Sequence, residues 1–97
     1  MTDNERNELE RAVRLLDNWL YCGKVDKPRQ ALLDVMQTAI NAMHEEQNRS
    51  GVSYSRPCAV LQYHVNRPLA ELFRDPVTIG AIKTAIAVME RLLDKPQ

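Results

Sequence analysis

Four residues of this chain belong to the types that ligate zinc or act as nucleophiles: Cys22, His44, Cys58 and His64. Structural zinc sites draw their ligands from closely spaced pairs, and these four residues are not paired in that way. Cys58 and His64, a candidate nucleophile and base, lie on opposite sides of a helix at their spacing. The sequence therefore predicts no metal site and no catalytic cysteine.

The two cysteines are too few for a disulfide scaffold and fit a reducing compartment. Free cysteine is usually a small buried apolar residue. We therefore expect Cys22 and Cys58 to pack inside the protein. A disulfide between them is the alternative.

The other groups that could carry catalysis are badly placed for it. His44, Glu45 and Glu46 are adjacent, and adjacent residues of a helix point in different directions, so they cannot share one substrate. The three glycines, at positions 23, 51 and 80, are scattered and form no phosphate-binding loop. We predict no catalytic residue and no cofactor, so the protein is not expected to be an enzyme.

Length and charge restrict the class of protein further. The 97 residues suffice for one domain, 1–97, and 13 Lys and Arg balance 13 Asp and Glu. Nucleic-acid binding is not favoured, because the charges are mixed and no basic face is evident. No apolar run approaches the roughly 18 residues of a membrane span, and the N-terminus is acidic where a signal peptide is basic. A cytoplasmic protein is expected.

The first residues of the chain carry the sequence signals of a helix. Thr2 and Glu5 fit a capping box, and Gly23 supplies a left-handed residue after a helix that runs from Thr2 or Asp3 to Cys22. A second helix is predicted to begin at residues 26–28, with Asp26 or Lys27 as the cap before a proline. The short connection between them predicts a helical hairpin.

The middle of the chain is less regular. Residues 48–57 contain Gly51 and three serines, which predict a ten-residue loop. Residues 58–65 permit a strand, but a lone strand would have no partner for its backbone groups. We interpret them as a short helix with Ser55 as its cap, interrupted at Asn66-Arg67-Pro68. The fold class is an all-α bundle with a hairpin, a broken short middle helix and a long final helix.

Asp75-Pro76 repeats the pattern of a cap before a proline and opens the final helix, residues 75–94. This helix is apolar over roughly 200° of its surface, whereas a surface helix needs only about 100°. Gly80 and Thr84 stand four apart on its narrow polar side, and we interpret them as ordinary small residues of a helix. The excess apolar width predicts a second packing partner, and a homodimer is the simplest one. The expected dimer interface consists of Val77, Ile79, Ile86, Val88 and Leu93.

Tyrosines beside polar residues are candidates for binding another protein, because Tyr buries a large area at low entropic cost. The expected partner-binding residues are Tyr21, Tyr54, Tyr63 and Arg67. We predict a small non-enzymatic interaction protein, a homodimeric regulator or inhibitor that occupies a surface of a larger protein. A small-ligand or nucleotide-binding bundle, with Tyr21 or Tyr63 and Arg67 at a subunit interface, is the alternative, and a DNA-binding regulator is less favoured.

Overall fold

Four α-helices make up the fold in the computed structural model, which describes residues 2–64 and 72–94. They are α1 (Asp3–Cys22), α2 (Arg29–Ser50), α3 (Ser55–His64) and α4 (Pro76–Asp94). No strand occurs within these described ranges. The predicted all-α bundle is confirmed: a hairpin of two long helices, a short middle helix and a long final one.

The ends of α1 follow the sequence prediction. The Thr2 hydroxyl accepts a hydrogen bond from the Glu5 amide at 3.2 Å, which satisfies one of the unpaired donors of the first turn. Gly23 ends the helix in the left-handed conformation with φ 74°, and its amide donates to the Trp19 carbonyl at 2.8 Å. Both caps are confirmed.

The start of α2 differs from the prediction. Pro28 is itself the cap residue, with φ −58°, and no side chain caps the helix. Asp26 instead accepts a hydrogen bond from the indole nitrogen of Trp19 at 2.8 Å. Trp19 is completely buried, and a buried indole N–H needs an acceptor. The carboxylate of Asp26 therefore accepts a hydrogen bond from the buried Trp19 indole and does not cap α2.

The predicted ten-residue loop is much shorter in the structure. Helix α2 continues through its polar segment to Ser50, with Glu46 buried in it, and Gly51 ends it with φ 77°. Only residues 51–54 lie between α2 and α3. Ser55 is the first residue of α3 and not its cap, since the Cys58 amide donates to the Tyr54 carbonyl at 3.1 Å.

Asp75 caps α4 as its sequence indicates. One carboxylate oxygen accepts from the Val77 amide at 3.0 Å, and the other accepts from the buried Thr78 hydroxyl at 3.1 Å. Pro76 has no N–H, so the first amide of α4 that needs an acceptor is that of Val77. The Asp75 carboxylate provides this acceptor.

Helix α4 is the centre of the bundle and contacts each of the other three helices. This position explains its wide apolar surface, because three neighbours cover far more of it than one could. Ile86 and Val88 are buried inside the chain, at 6% and 0% exposure, so placing them at a dimer interface was wrong. The largest fully buried side chains around α4 include Trp19, Leu16, Leu32, Met36, Leu61, Ile82 and Met89.

Candidate interaction surface

Two long-range hydrogen bonds connect the end of α4 to the start of α1 and to the loop before α3. Arg6, in the first turn of α1, donates to the Leu93 carbonyl near the end of α4 at 3.1 Å. Arg91, in the last turn of α4, donates to the Tyr54 hydroxyl just before α3 at 2.9 Å. Helix α1 therefore begins beside the end of α4, and the residue just before α3 reaches the last turn of α4 through its hydroxyl. We call this the capped end, defined by Arg6, Leu93, Tyr54 and Arg91.

The opposite end of the bundle carries exposed apolar side chains. Tyr21 is 92% exposed at the end of α1, Tyr63 is 61% exposed at the end of α3, and Val77 is 53% exposed at the start of α4. Tyr21 and Val77 lie at the end of the α1–α4 pair opposite to the Arg6–Leu93 contact, and Tyr63 lies at the end of α3 farther from Tyr54. We call these three residues the aromatic end. Val52, 53% exposed in the loop 51–54, belongs to the capped end.

Tyr54 is not an exposed anchor, and its prediction as a partner-binding residue was wrong. The side chain is 7% exposed, and its hydroxyl is held by Arg91. Its amide donates to the Gln47 side-chain carbonyl at 2.7 Å, which ties the loop to the last turns of α2. The Tyr54 side chain therefore belongs to the buried core of the bundle.

The other residues predicted for partner binding or for the dimer interface differ in exposure. Arg67 lies outside the described residues. Ile79 and Leu93 are half-buried, so they present only part of their surface to solvent. Of the five residues expected at a dimer interface, Val77 is the most exposed.

An apolar groove runs along the seam between α3 and α4, with a volume of about 260 Å³. Sequence reasoning did not identify it, although Gly80 was a signal: a glycine inside a helix carries a cost that nothing nearby in the sequence explains. The residues that line it are Arg56, Pro57, Val60, Val77, Gly80, Ala81 and Thr84.

The seam between α1 and α2 has the opposite character. Its groove has a floor of Leu9 and Ala42, and the carboxylates of Glu5, Glu8 and Glu45 surround it. Acidic residues thus line this groove, whereas a cation, Arg56, lines the groove between α3 and α4. A further pocket of the α1–α2 seam is lined by both Arg11 and acidic residues.

The two cysteines have different environments, and neither is in a disulfide. Cys58 is buried as predicted, and burial raises the pKa of its thiol. A raised pKa lowers the thiolate fraction at neutral pH, which makes Cys58 a poor nucleophile. Cys22 is exposed on α1, so the prediction that it packs inside the protein was wrong.

Residues 2–64 and 72–94 contain no group of three or more His, Cys, Asp or Glu arranged to hold a metal ion. Within the same ranges, no helix has the length and apolar character needed to cross a bilayer. Comparisons of the chain with protein families, with curated proteins and with solved structures found no match.

Proposed function

We propose that this protein is a small non-enzymatic interaction protein that binds a surface of a larger protein through its aromatic end. A regulator or inhibitor in the cytoplasm would act in this way, by occupying a surface that another molecule needs. The observation that carries the proposal is the 92% exposure of Tyr21 on an otherwise charged helix face. Asp17 and Asn18, which precede it by about one turn, are exposed polar residues.

An exposed tyrosine contributes little to the fold, because it removes almost no apolar area from water. At an interface the same side chain contributes strongly, since it buries a large rigid ring and keeps a hydroxyl for hydrogen bonding. Tyr63 and Val77 add exposed apolar area at the same end. Three such residues at one end fit the anchors of a binding surface better than they fit a purely solvated one.

The proposal is tested with the purified full chain as bait in native cell extract. Changing Tyr21 and Tyr63 together to Ser should remove a captured protein that the unchanged chain retains. Val52→Ser is the control, because it removes an exposed apolar side chain at the capped end. A captured set that is identical for all three baits would contradict the proposal.

A homodimer stays part of the proposal, although fewer residues support it than the sequence suggested. Val77 is exposed, while Ile79 and Leu93 offer half-buried edges. Sedimentation at micromolar concentration should give twice the chain mass, and Val77→Ser should shift the equilibrium toward the monomer. A monomer across the whole concentration range would remove self-association from the proposal.

A further inference from the structure

The groove between α3 and α4 leads along the seam to the aromatic end. Arg56 and Val60 line its α3 side, and Tyr63 lies on the same face of α3 because it is one turn beyond Val60. Val77 stands on the α4 side, and Ala81 forms a buried floor. Two of the three exposed apolar side chains of the aromatic end, Tyr63 and Val77, therefore belong to the walls of the groove or lie beside them.

Gly80 keeps this groove open. Its backbone does not have a positive φ, so glycine is not required by the local conformation. A Cβ built at this position meets nothing within 4 Å, so internal packing does not require glycine either. Glycine inside a helix is less stable than alanine by about 1 kcal/mol. A larger residue would improve the helix but would project into the groove.

The residues that line the groove include one cation, Arg56, and no acidic residue, in a chain whose net charge is zero. Asp75 lies just before α4, where its carboxylate accepts from the Val77 amide and the Thr78 hydroxyl. Helix α3 contains no acidic residue, and α4 contains none before Glu90. Arg56 lines the groove, and Lys83 is exposed on α4 beside Thr84. The salt bridges found among the described residues, Arg6–Glu10 and Arg49–Glu46, do not neutralise either cation.

We infer that the groove binds an amphipathic helix of another protein that presents apolar anchors flanked by Asp or Glu. Apolar side chains of such a helix would fill the space above Gly80 and Ala81, as in other helix-in-groove complexes. Its carboxylates would pair with Arg56, whose guanidinium fork suits carboxylate geometry, and with Lys83. A second copy of this chain fits less well, because its own groove face carries the same cations. This inference rests on the proposed function.

The test uses two labelled helical peptides of about 16 residues, with identical leucine anchors and either Glu or Lys at the flanking positions. Fluorescence anisotropy measures the binding of each to the full chain. The Glu peptide should bind at least about tenfold more tightly than the Lys peptide, and added salt should weaken it. Equal binding of the two peptides, or no binding of either, would overturn the inference.

Gly80→Leu supplies the matched structural test. It should weaken binding of the Glu peptide at least about tenfold, while Asn7→Leu, which places the same side chain on the exposed face of α1, should leave it unchanged. Circular dichroism should show that both variants retain the fold. Undiminished binding to Gly80→Leu would overturn the inference, as would a dimer of the unchanged chain that Gly80→Leu converts to a monomer.

The proposed function and this inference fail separately. Tyr21 is on α1 and does not line the groove. If captured partners depend on Tyr21 and Tyr63 but Gly80→Leu has no effect on the peptides, only the groove inference falls. If the tyrosine variants also capture the same proteins as the unchanged chain, the proposed function falls with it.

Discussion

The two ends of the bundle use their aromatic residues in opposite ways. At the capped end, Tyr54 is buried, its amide is bound by Gln47 and its hydroxyl by Arg91. At the aromatic end, Tyr21 and Tyr63 remain 92% and 61% exposed. The same residue type is therefore buried in the fold at one end and largely exposed to solvent at the other. Residue type alone does not distinguish an anchor of the fold from a candidate anchor for a partner.

The largest expected effect comes from Tyr54→Ala. It removes a buried ring and leaves the Arg91 guanidinium without its hydroxyl partner, so we expect the free energy of unfolding to fall by about 3 kcal/mol. Urea unfolding measures the change. Tyr54→Phe should lose only about 1 kcal/mol, because it keeps the packing and removes one hydrogen bond. A loss below about 0.5 kcal/mol for the alanine variant would contradict the assignment of Tyr54 to the fold.

A smaller loss is expected for Asp26→Ala, which tests what stabilises the aromatic end. The variant leaves the buried Trp19 N–H without the acceptor at 2.8 Å, which should cost about 1–3 kcal/mol. Asp26→Asn keeps a side-chain oxygen as acceptor and should cost less. Equal losses for the two variants would show that the hydrogen bond is not the source of the effect. Trp19 fluorescence reports the unfolding of both.

The exposed tyrosines should behave differently from both of these residues. Changing Tyr21 to Ser should alter the free energy of unfolding by no more than about 0.5 kcal/mol, because its side chain is 92% exposed and little buried area is lost. Tyr63→Ser, at 61% exposure, should cost less than Tyr54→Ala. Each change should weaken partner binding by at least about 1 kcal/mol. A destabilisation as large as that of Tyr54→Ala would show that the comparison between the two ends is wrong.

Local signals in the sequence predicted the helices well, because caps and breakers act over a few residues. Thr2, Gly23 and Asp75 illustrate this success. The signals failed where a residue's role depended on distant parts of the chain. Asp26 resembled a helix cap, but its carboxylate accepts from Trp19, and the polar residues before Gly51 resembled a loop but form the last turns of α2.

The candidate site was harder to predict than the fold, since exposure depends on how many neighbours a helix has. The apolar width of α4 suggested a second chain, but α4 is covered by three helices of its own chain, which bury Ile86 and Val88. The groove above Gly80 exists only because α3 lies beside it. No pattern within α4 alone contains that information.

The smallest expected effect concerns Cys58. Burial raises the pKa of its thiol above the ordinary 9.0, so the folded state disfavours the thiolate. This contribution to stability is fully present below pH 9.0 and is lost as the pH rises through the raised value. The free energy of unfolding should therefore decline more steeply above pH 9.0 in the unchanged chain than in Cys58→Ala. Parallel declines would contradict the assignment.

The measurement that tests the proposed function most directly is site-specific photo-crosslinking in native extract. A benzophenone amino acid replaces Tyr21, Tyr63 or Val52 in three separate full-length chains, so that both ends are sampled by the same reactive group. We predict that positions 21 and 63 both crosslink to one other protein and that position 52 does not. Crosslinking of a partner from position 52 alone, or only to further copies of this chain, would contradict the proposal.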